Sequence, residues 1–360
     1  MRTPRVPTSP RIVAASRALP PHFASQEALI AAFREHWGTR HFNLERLETL
    51  HRNTRVAGRY LALPLSDYLP LERFSERNDA WIRVGTELGQ QALSAALDAA
   101  GLTPDALDHL FFVTVTGIAT PSLDARLVNR LGLRADIKRT PIFGLGCVAG
   151  AAGLARASDY LRAFGSETAA VLSVELCSLT LQREDLSIPN IIASGLFGDG
   201  AAAVVLRGGA VQGACPGPQV VATRSVFYPD TERIMGWDVV DTGFKVVLSS
   251  KVPELVQRHI RTDVDTFLSD HGLTRAEIRH WIAHTGGPKV LQAFESALEL
   301  PDGALERSWR SLGEVGNLSS ASVLFVLSEL LASREAREGD LGLLLAMGPG
   351  FCSELVLLRW

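Results

Sequence analysis

The second half of this 360-residue chain repeats the first, faintly but in order. Gly101-Leu102-Thr103-Pro104-Asp105-Ala106-Leu107-Asp108-His109-Leu110 is matched 171 residues later by Gly272-Leu273-Thr274-Arg275-Ala276-Glu277-Ile278-Arg279-His280-Trp281. Gly146-Cys147 is matched 170 residues later by Gly316-Asn317, each opening a helix-like run. Phe197-Gly198-Asp199-Gly200 finds Met347-Gly348-Pro349-Gly350, and an apolar strand follows each. One such match would be chance. Three in sequence order predict a duplicated α/β unit with a site between the halves. In that frame Cys147 and Asn317 sit at equivalent helix N-termini and face one another.

The local patterns agree with this frame. Arg11 to Leu19 reads as a first strand, Ser25 as the N-cap of a following helix, and Phe74 to Ala100 as a long amphipathic helix closed by Gly101. Leu110 to Thr116, Thr168 to Glu175 and Ala201 to Leu206 are apolar enough for buried strands. Gly208 to Gln219, with its glycines and prolines, is the expected linker, placing one half at 1–210 and the other at 220–360. Strands alternating with helices indicate α/β layers.

Pro141-Ile142-Phe143-Gly144-Leu145 reads as a short buried strand, and the alanine-rich run Ala151 to Ala163 as a helix packed closely on a sheet. Cys147 falls at the turn between them, among Gly144, Gly146 and Gly150. Such a turn bends sharply and is expected to leave the thiol unshielded. A thiol at a helix N-terminus also feels the positive end of the dipole, which lowers its pKa and suits a nucleophile. A cysteine in an apolar stretch is equally an ordinary small core residue. This stretch alone leaves both readings open.

The totals exclude several classes. A net charge of −3 gives no electrostatic case for nucleic acid or an anionic membrane. Cys147, Cys177, Cys215 and Cys352 are scattered, with neither a CxxC pair nor a disulfide framework, so a reduced, cytoplasmic setting is expected. The start, Met1 to Pro7, lacks the apolar core of a signal peptide, and no run reaches the roughly 18 apolar residues of a membrane span. Without metal-spaced His/Cys clusters or a GxGxxG after a strand, neither a metal nor a redox cofactor is expected.

His284 ends the apolar strand Trp281-Ile282-Ala283 and precedes the turn Thr285-Gly286-Gly287-Pro288. Asn317 precedes the helical run from Leu318 to Leu331. A structural histidine and a helix cap are the plain readings of these two. Their positions at a strand end and a helix start, however, are where α/β active sites collect.

Gly-Cys-Val-Ala-Gly around Cys147, His-Thr-Gly-Gly-Pro from His284 and Gly-Asn-Leu-Ser-Ser-Ala from Gly316 resemble the three signatures of type III polyketide synthases, the chalcone-synthase-like enzymes. Gly195 to Ala203 and Gly348-Pro349-Gly350 match as well, and the resemblance runs from about Arg11 to Trp360. It implies a thiolase-like, duplicated, layered α/β/α/β/α fold and a homodimer. It implies that Cys147 takes an acyl chain from a CoA thioester, while His284 and Asn317 bind the thioester oxygen of malonyl-CoA as carbon dioxide leaves. Two donors aimed at an oxygen that gains charge would stabilise the enolate. Phe197 matches an aromatic gatekeeper, whose plain reading is a core aromatic.

Pocket positions by the same resemblance are Thr116, Cys177, Thr180, Val246 and Ser319, with Val246 replacing a second gatekeeping phenylalanine of the plant enzymes. Val174 to Thr180 resembles bacterial members. Small residues there leave room for a long apolar chain, so the expectation is a medium or long acyl-CoA starter extended to an alkylpyrone or alkylresorcinol. The alternative is a tetrahydroxynaphthalene synthase using malonyl-CoA alone. CoA phosphates would fall near Arg46, Arg52 or Arg55. A β-ketoacyl-ACP synthase III-like enzyme shares fold and triad, but such enzymes carry His-Gln-Ala-Asn at the histidine. A papain-like hydrolase fits neither the duplication nor the cytoplasmic character. A non-catalytic thiolase-fold partner subunit would lack the nucleophile that Cys147 supplies.

Overall fold

The computed structural model describes residues 9–37, 43–212 and 216–360. Cys215 and part of the expected linker lie outside the described residues. Strand alternation places odd and even positions in different cores. Ala201, Ala203 and Val205 enter one core, whereas Ala202, Val204 and Leu206 enter another. Leu343, Leu345 and Met347 likewise part from Leu344 and Ala346. Buried on both faces, such strands need helices on both sides.

Nine strands form the main sheet, in the order Ile278–Ala283, Leu341–Gly348, Cys352–Arg359, Gln219–Phe227, Arg11–Ala18, Asp199–Arg207, Thr168–Leu176, His109–Thr114 and Lys138–Phe143. The two middle strands, Arg11–Ala18 and Gln219–Phe227, meet only through Arg11 and Gln219. On each side of that seam two antiparallel pairings are followed by a parallel one. The helices Ala149–Ala163 and Ala321–Ser333 share one core with the inner faces of both sides. Phe74–Ala99 covers the outer face of one side, and Val252–Ser269 with Pro288–Leu298 covers the other. The result is the expected α/β/α/β/α layering of the thiolase fold. The apolar run from Ser319 belongs to the buried central helix, and among the described residues no helix is long and apolar enough to cross a membrane.

The repeated Gly-Leu-Thr segments do the same work in both halves. Gly101 and Gly272 close the long helices at φ 65° and 67°. Leu102 N–H then bonds Leu97 O, and Leu273 N–H bonds Leu268 O, each at 3.0 Å. This left-handed stop frees the chain to turn through Pro104–Ala106 or Arg275–Glu277 into the next strand. Between the halves, a Cβ on Gly150 would sit 2.2 Å from Ser320 O. The two central helices can approach this closely only because position 150 is glycine.

One expected element differs. The apolar stretch from Pro141 suggests a buried strand, but Lys138–Phe143 is the outermost strand, paired among the described residues only with His109–Thr114, and Phe143 is 51% exposed. An apolar run cannot by itself distinguish a central strand from an edge whose far side is open.

Candidate active site

Cys147 sits in the short turn Gly146–Val148 ahead of Ala149–Ala163. It is not the unshielded thiol that its glycines suggest: it is 5% exposed. Pro349 packs over Gly146, and Ser319 faces the thiol, both brought from the other half of the chain. The thiol donates to Ser319 Oγ at 3.7 Å. Burial pushes its pKa up to about 12; hydrogen bonds from Ser319 and Asn317 oppose this, and the Glu175 carboxylate adds to it. The depressed pKa expected from the helix start is therefore overturned, because removal of water dominates at this position.

Asn317 stands opposite, buried, in the turn before Ala321–Ser333. Its Oδ1 accepts from Ser319 N–H at 2.8 Å and the Ser322 hydroxyl at 3.3 Å. The side chain thus closes a local turn rather than capping the helix itself. Its backbone forms a parallel β-bridge with Phe197. His284 continues the strand Ile278–Ala283, its N–H bonding Leu345 O at 3.0 Å. Burial pushes its imidazole down to about 4, so it is neutral near pH 7. Nδ1 has no hydrogen-bond partner, and no hydrogen bond joins His284 to Cys147 among the described residues.

The thiol opens on a small chamber of about 30 Å³, lined by Cys177, Phe197, Val246 and Ser319 as well as Cys147. Through Cys177, Phe197, Trp237 and Val246 it adjoins a rear chamber of about 120 Å³, which Thr180 also lines. Through Met235 and Leu248 it adjoins an outer groove of about 640 Å³ that runs past Gly286, Gly287 and Lys289. Six of the expected residues, Cys147, Cys177, Thr180, Phe197, Val246 and Ser319, therefore gather around one axis. Thr116 does not: Val115 lines the thiol chamber, while Thr116 Oγ1 donates to Glu175 at 2.9 Å.

The three arginines expected near the CoA phosphates lie close to Leu50, Asn53 and Thr54 of the outer groove without lining it themselves. Arg52 pairs with Glu27 and Glu48, and Arg55 lies over the Trp309 ring at 5.2 Å. Arg46 is exposed on the helix Leu44–Arg52. None of the three lines the outer groove, where Lys289 supplies a cation that sequence reasoning missed. Glu175 was missed as well. It is fully buried behind Cys147, where it accepts from Thr116, Ser320 and the Val115 N–H, and burial pushes its pKa up to about 7. An acid ending the apolar run Thr168 to Glu175 was the available signal. Among the described residues no group of three or more His, Cys, Asp or Glu side chains is arranged to hold a metal ion.

This site can hold an acyl chain on a buried thiol, with the oriented Asn317 amide within hydrogen-bonding reach, while His284 is buried and neutral and lines none of the three chambers. The comparisons accord with that chemistry. Residues 4–210 match the N-terminal domain of chalcone and stilbene synthases, and residues 219–360 match their C-terminal domain. The chain is 52% identical over 350 residues to a 1,3,6,8-tetrahydroxynaphthalene synthase of Streptomyces peucetius subsp. caesius, covering 97% of this chain and 93% of that one. It is 36% identical to a putative chalcone synthase of Bacillus subtilis, over 97% of this chain and 98% of the other. Its fold superposes on the crystal structure of 1,3,6,8-tetrahydroxynaphthalene synthase from Streptomyces coelicolor A3(2), a bacterial type III polyketide synthase. The TM-score is 0.92 at 32% identity, covering 97% of this chain and 99% of that one. With both halves matched and the Cys, His and Asn signatures in place, this chain belongs to the chalcone and stilbene synthase family and is a type III polyketide synthase.

Proposed function

We propose that this synthase uses malonyl-CoA both to prime and to extend, releasing 1,3,6,8-tetrahydroxynaphthalene. The observation that carries this is the 52% identity, over nearly the whole chain, to a synthase of that product. All carbons of that skeleton can come from malonyl units. In this reading the Cys147 sulfur attacks the thioester carbonyl, the new C–S bond forms and the C–S bond to CoA breaks. His284 takes the thiol proton and returns it to the departing CoA sulfur. Neutral His284 can act in this way and then donate, with Asn317, to the thioester oxygen of the next malonyl-CoA. Loss of carbon dioxide leaves an enolate whose carbon attacks the acyl group on Cys147, breaking its C–S bond and releasing the Cys147 thiolate, which takes a proton from water or stands ready for the next acyl transfer. Lys289, lining the outer groove, would meet CoA phosphates there. Neither metal nor redox cofactor takes part. The open edge strand with Phe143, and the neighbouring loop residue Ile118, both about half exposed, would be covered in a homodimer.

A second reading keeps the fatty acyl starter. Its support is the rear chamber, whose walls are largely apolar and whose neck has Val246 in place of a phenylalanine. Incubation with malonyl-CoA alone, and with added acyl-CoAs of increasing length, separates the two. Robust product from malonyl-CoA alone, unchanged by acyl-CoA, is expected; product that requires an acyl-CoA installs the second reading.

A further inference from the structure

We propose that the rear chamber is a subsite for an oxygen atom at the far end of the chain held on Cys147, with Arg59 as its specificity-determining residue. The inference rests on the polyketide synthase reading but not on the identity of the product. Arg59 is 2% exposed and lines the chamber. Its Nη2 donates to Ser194 O, whereas Nη1 is buried with no hydrogen-bond partner.

A buried guanidinium nitrogen without an acceptor is costly, so something that fills the chamber should supply one. The nearby carboxylate does not. Asp199 attracts the charge, but its oxygens accept from Ala62 N–H at 2.6 Å, Ser178 N–H at 2.8 Å and the Ser178 hydroxyl, and it forms no ion pair with Arg59 among the described residues. His36 lines the same chamber, and its Nε2 is likewise buried without a partner. The remaining wall is largely apolar, including Leu29, Phe33, Leu61 and Leu181. A guanidinium donor lacking an acceptor, with an unpaired imidazole nitrogen in the same apolar space, discriminates by chemistry. A saturated alkyl end leaves both unpaired, whereas a ketone or carboxylate oxygen satisfies one of them. The chamber adjoins the thiol chamber through Cys177, Phe197, Trp237 and Val246, so a chain on Cys147 grows toward it.

The test is competitive loading of Cys147, read by intact mass, with hexanoyl-CoA against 5-oxohexanoyl-CoA and against glutaryl-CoA. The first pair differs by one ketone, and glutaryl-CoA presents a carboxylate. In the wild-type protein one oxygenated chain should load over hexanoyl by about tenfold or more, and the preferred one identifies the oxygen as keto or carboxylate. Arg59→Met should bring that ratio close to one. Should Arg59→Met not fold, Arg59→Lys, which keeps the charge and loses the fork, takes its place and should also lower the ratio. Equal loading in the wild type, or a ratio unchanged in the variant that folds, overturns the subsite alone. Malonyl-CoA is the loading control: no adduct from any of the three while malonyl-CoA still loads overturns the subsite alone, and no adduct from malonyl-CoA either sinks the acyl-thioester reading and the subsite with it.

Discussion

Phe197 and Asn317 are joined by a parallel β-bridge: Asn317 N–H bonds Leu196 O and Gly198 N–H bonds Asn317 O, both at 2.9 Å. Position 197 in one half is thereby fixed to the asparagine of the other. Phe197 also lines both the thiol chamber and the rear chamber. A residue tied on both sides of its backbone offers its side chain in one orientation, which is what stabilising a developing charge requires.

That rigidity makes the roles of Asn317 and His284 separable. Asn317→Ala should lower carbon dioxide release from malonyl-CoA by about a hundredfold, the usual cost of an oxyanion donor. It should still accept an acyl group, seen by intact mass. His284→Ala should impair both steps, because the proposed reading has it take the thiol proton as well as donate to the thioester oxygen. Normal decarboxylation by Asn317→Ala would remove its assigned role.

The buried thiol predicts an unusual pH profile. With Cys147 pushed up to about 12, alkylation by iodoacetamide should keep rising through pH 9, roughly tenfold per unit, where an ordinary cysteine levels off. A plateau near neutrality would reveal a resting thiolate–imidazolium pair instead. Glu175 sharpens the test. Its carboxyl ionises at about 7 and then raises the thiol pKa. Glu175→Gln should therefore match the wild-type rate below pH 6 and exceed it above pH 8.

Lys289 lines the groove that Arg52 and Arg55 do not. Lys289→Ala should raise KM for malonyl-CoA several-fold with little change in kcat, since a phosphate contact is made equally in ground and transition states. Arg52→Ala should leave KM unchanged, because its partners are Glu27 and Glu48. The reverse pattern, read from steady-state kinetics, would return CoA recognition to Arg52.

The exposed edge gives an assembly test. Phe143→Arg should convert a dimer to a monomer at micromolar concentration in light scattering, since a charge on an open apolar edge opposes pairing. A wild-type monomer would dismiss the dimer.

Much of this was written in single stretches of chain. Gly101 and Gly272 were legible because a left-handed helix stop is a local requirement that glycine meets. The convergence of Cys147 with Asn317 followed from the repeat. What was hidden depends on partners distant in sequence. Cys147 is shielded by Ser319 and Pro349, so its glycine neighbours gave the wrong sense of its exposure and pKa. Arg52 carried no mark of its pairing with Glu27, and Thr116 none of its turn toward Glu175. The edge position of Lys138–Phe143 likewise follows from pairing, which an apolar run does not record.

Val246 and Cys177 stand where the thiol chamber meets the rear chamber, and both line each of them. A larger side chain there should close the passage while leaving Cys147, His284 and Asn317 in place. Val246→Phe or Cys177→Trp should thus retain malonyl-CoA decarboxylation within a few-fold but stop extension early, giving shorter lactones by mass. If fatty acyl chains are the natural starters, each buried methylene contributes about 0.8 kcal/mol, so the same variants should shift preference to shorter acyl-CoAs by severalfold per lost carbon. Under malonyl priming the acyl-CoA series should instead stay flat while product length falls. Unchanged product length and unchanged starter preference in both variants would show that the growing chain does not pass between positions 177 and 246.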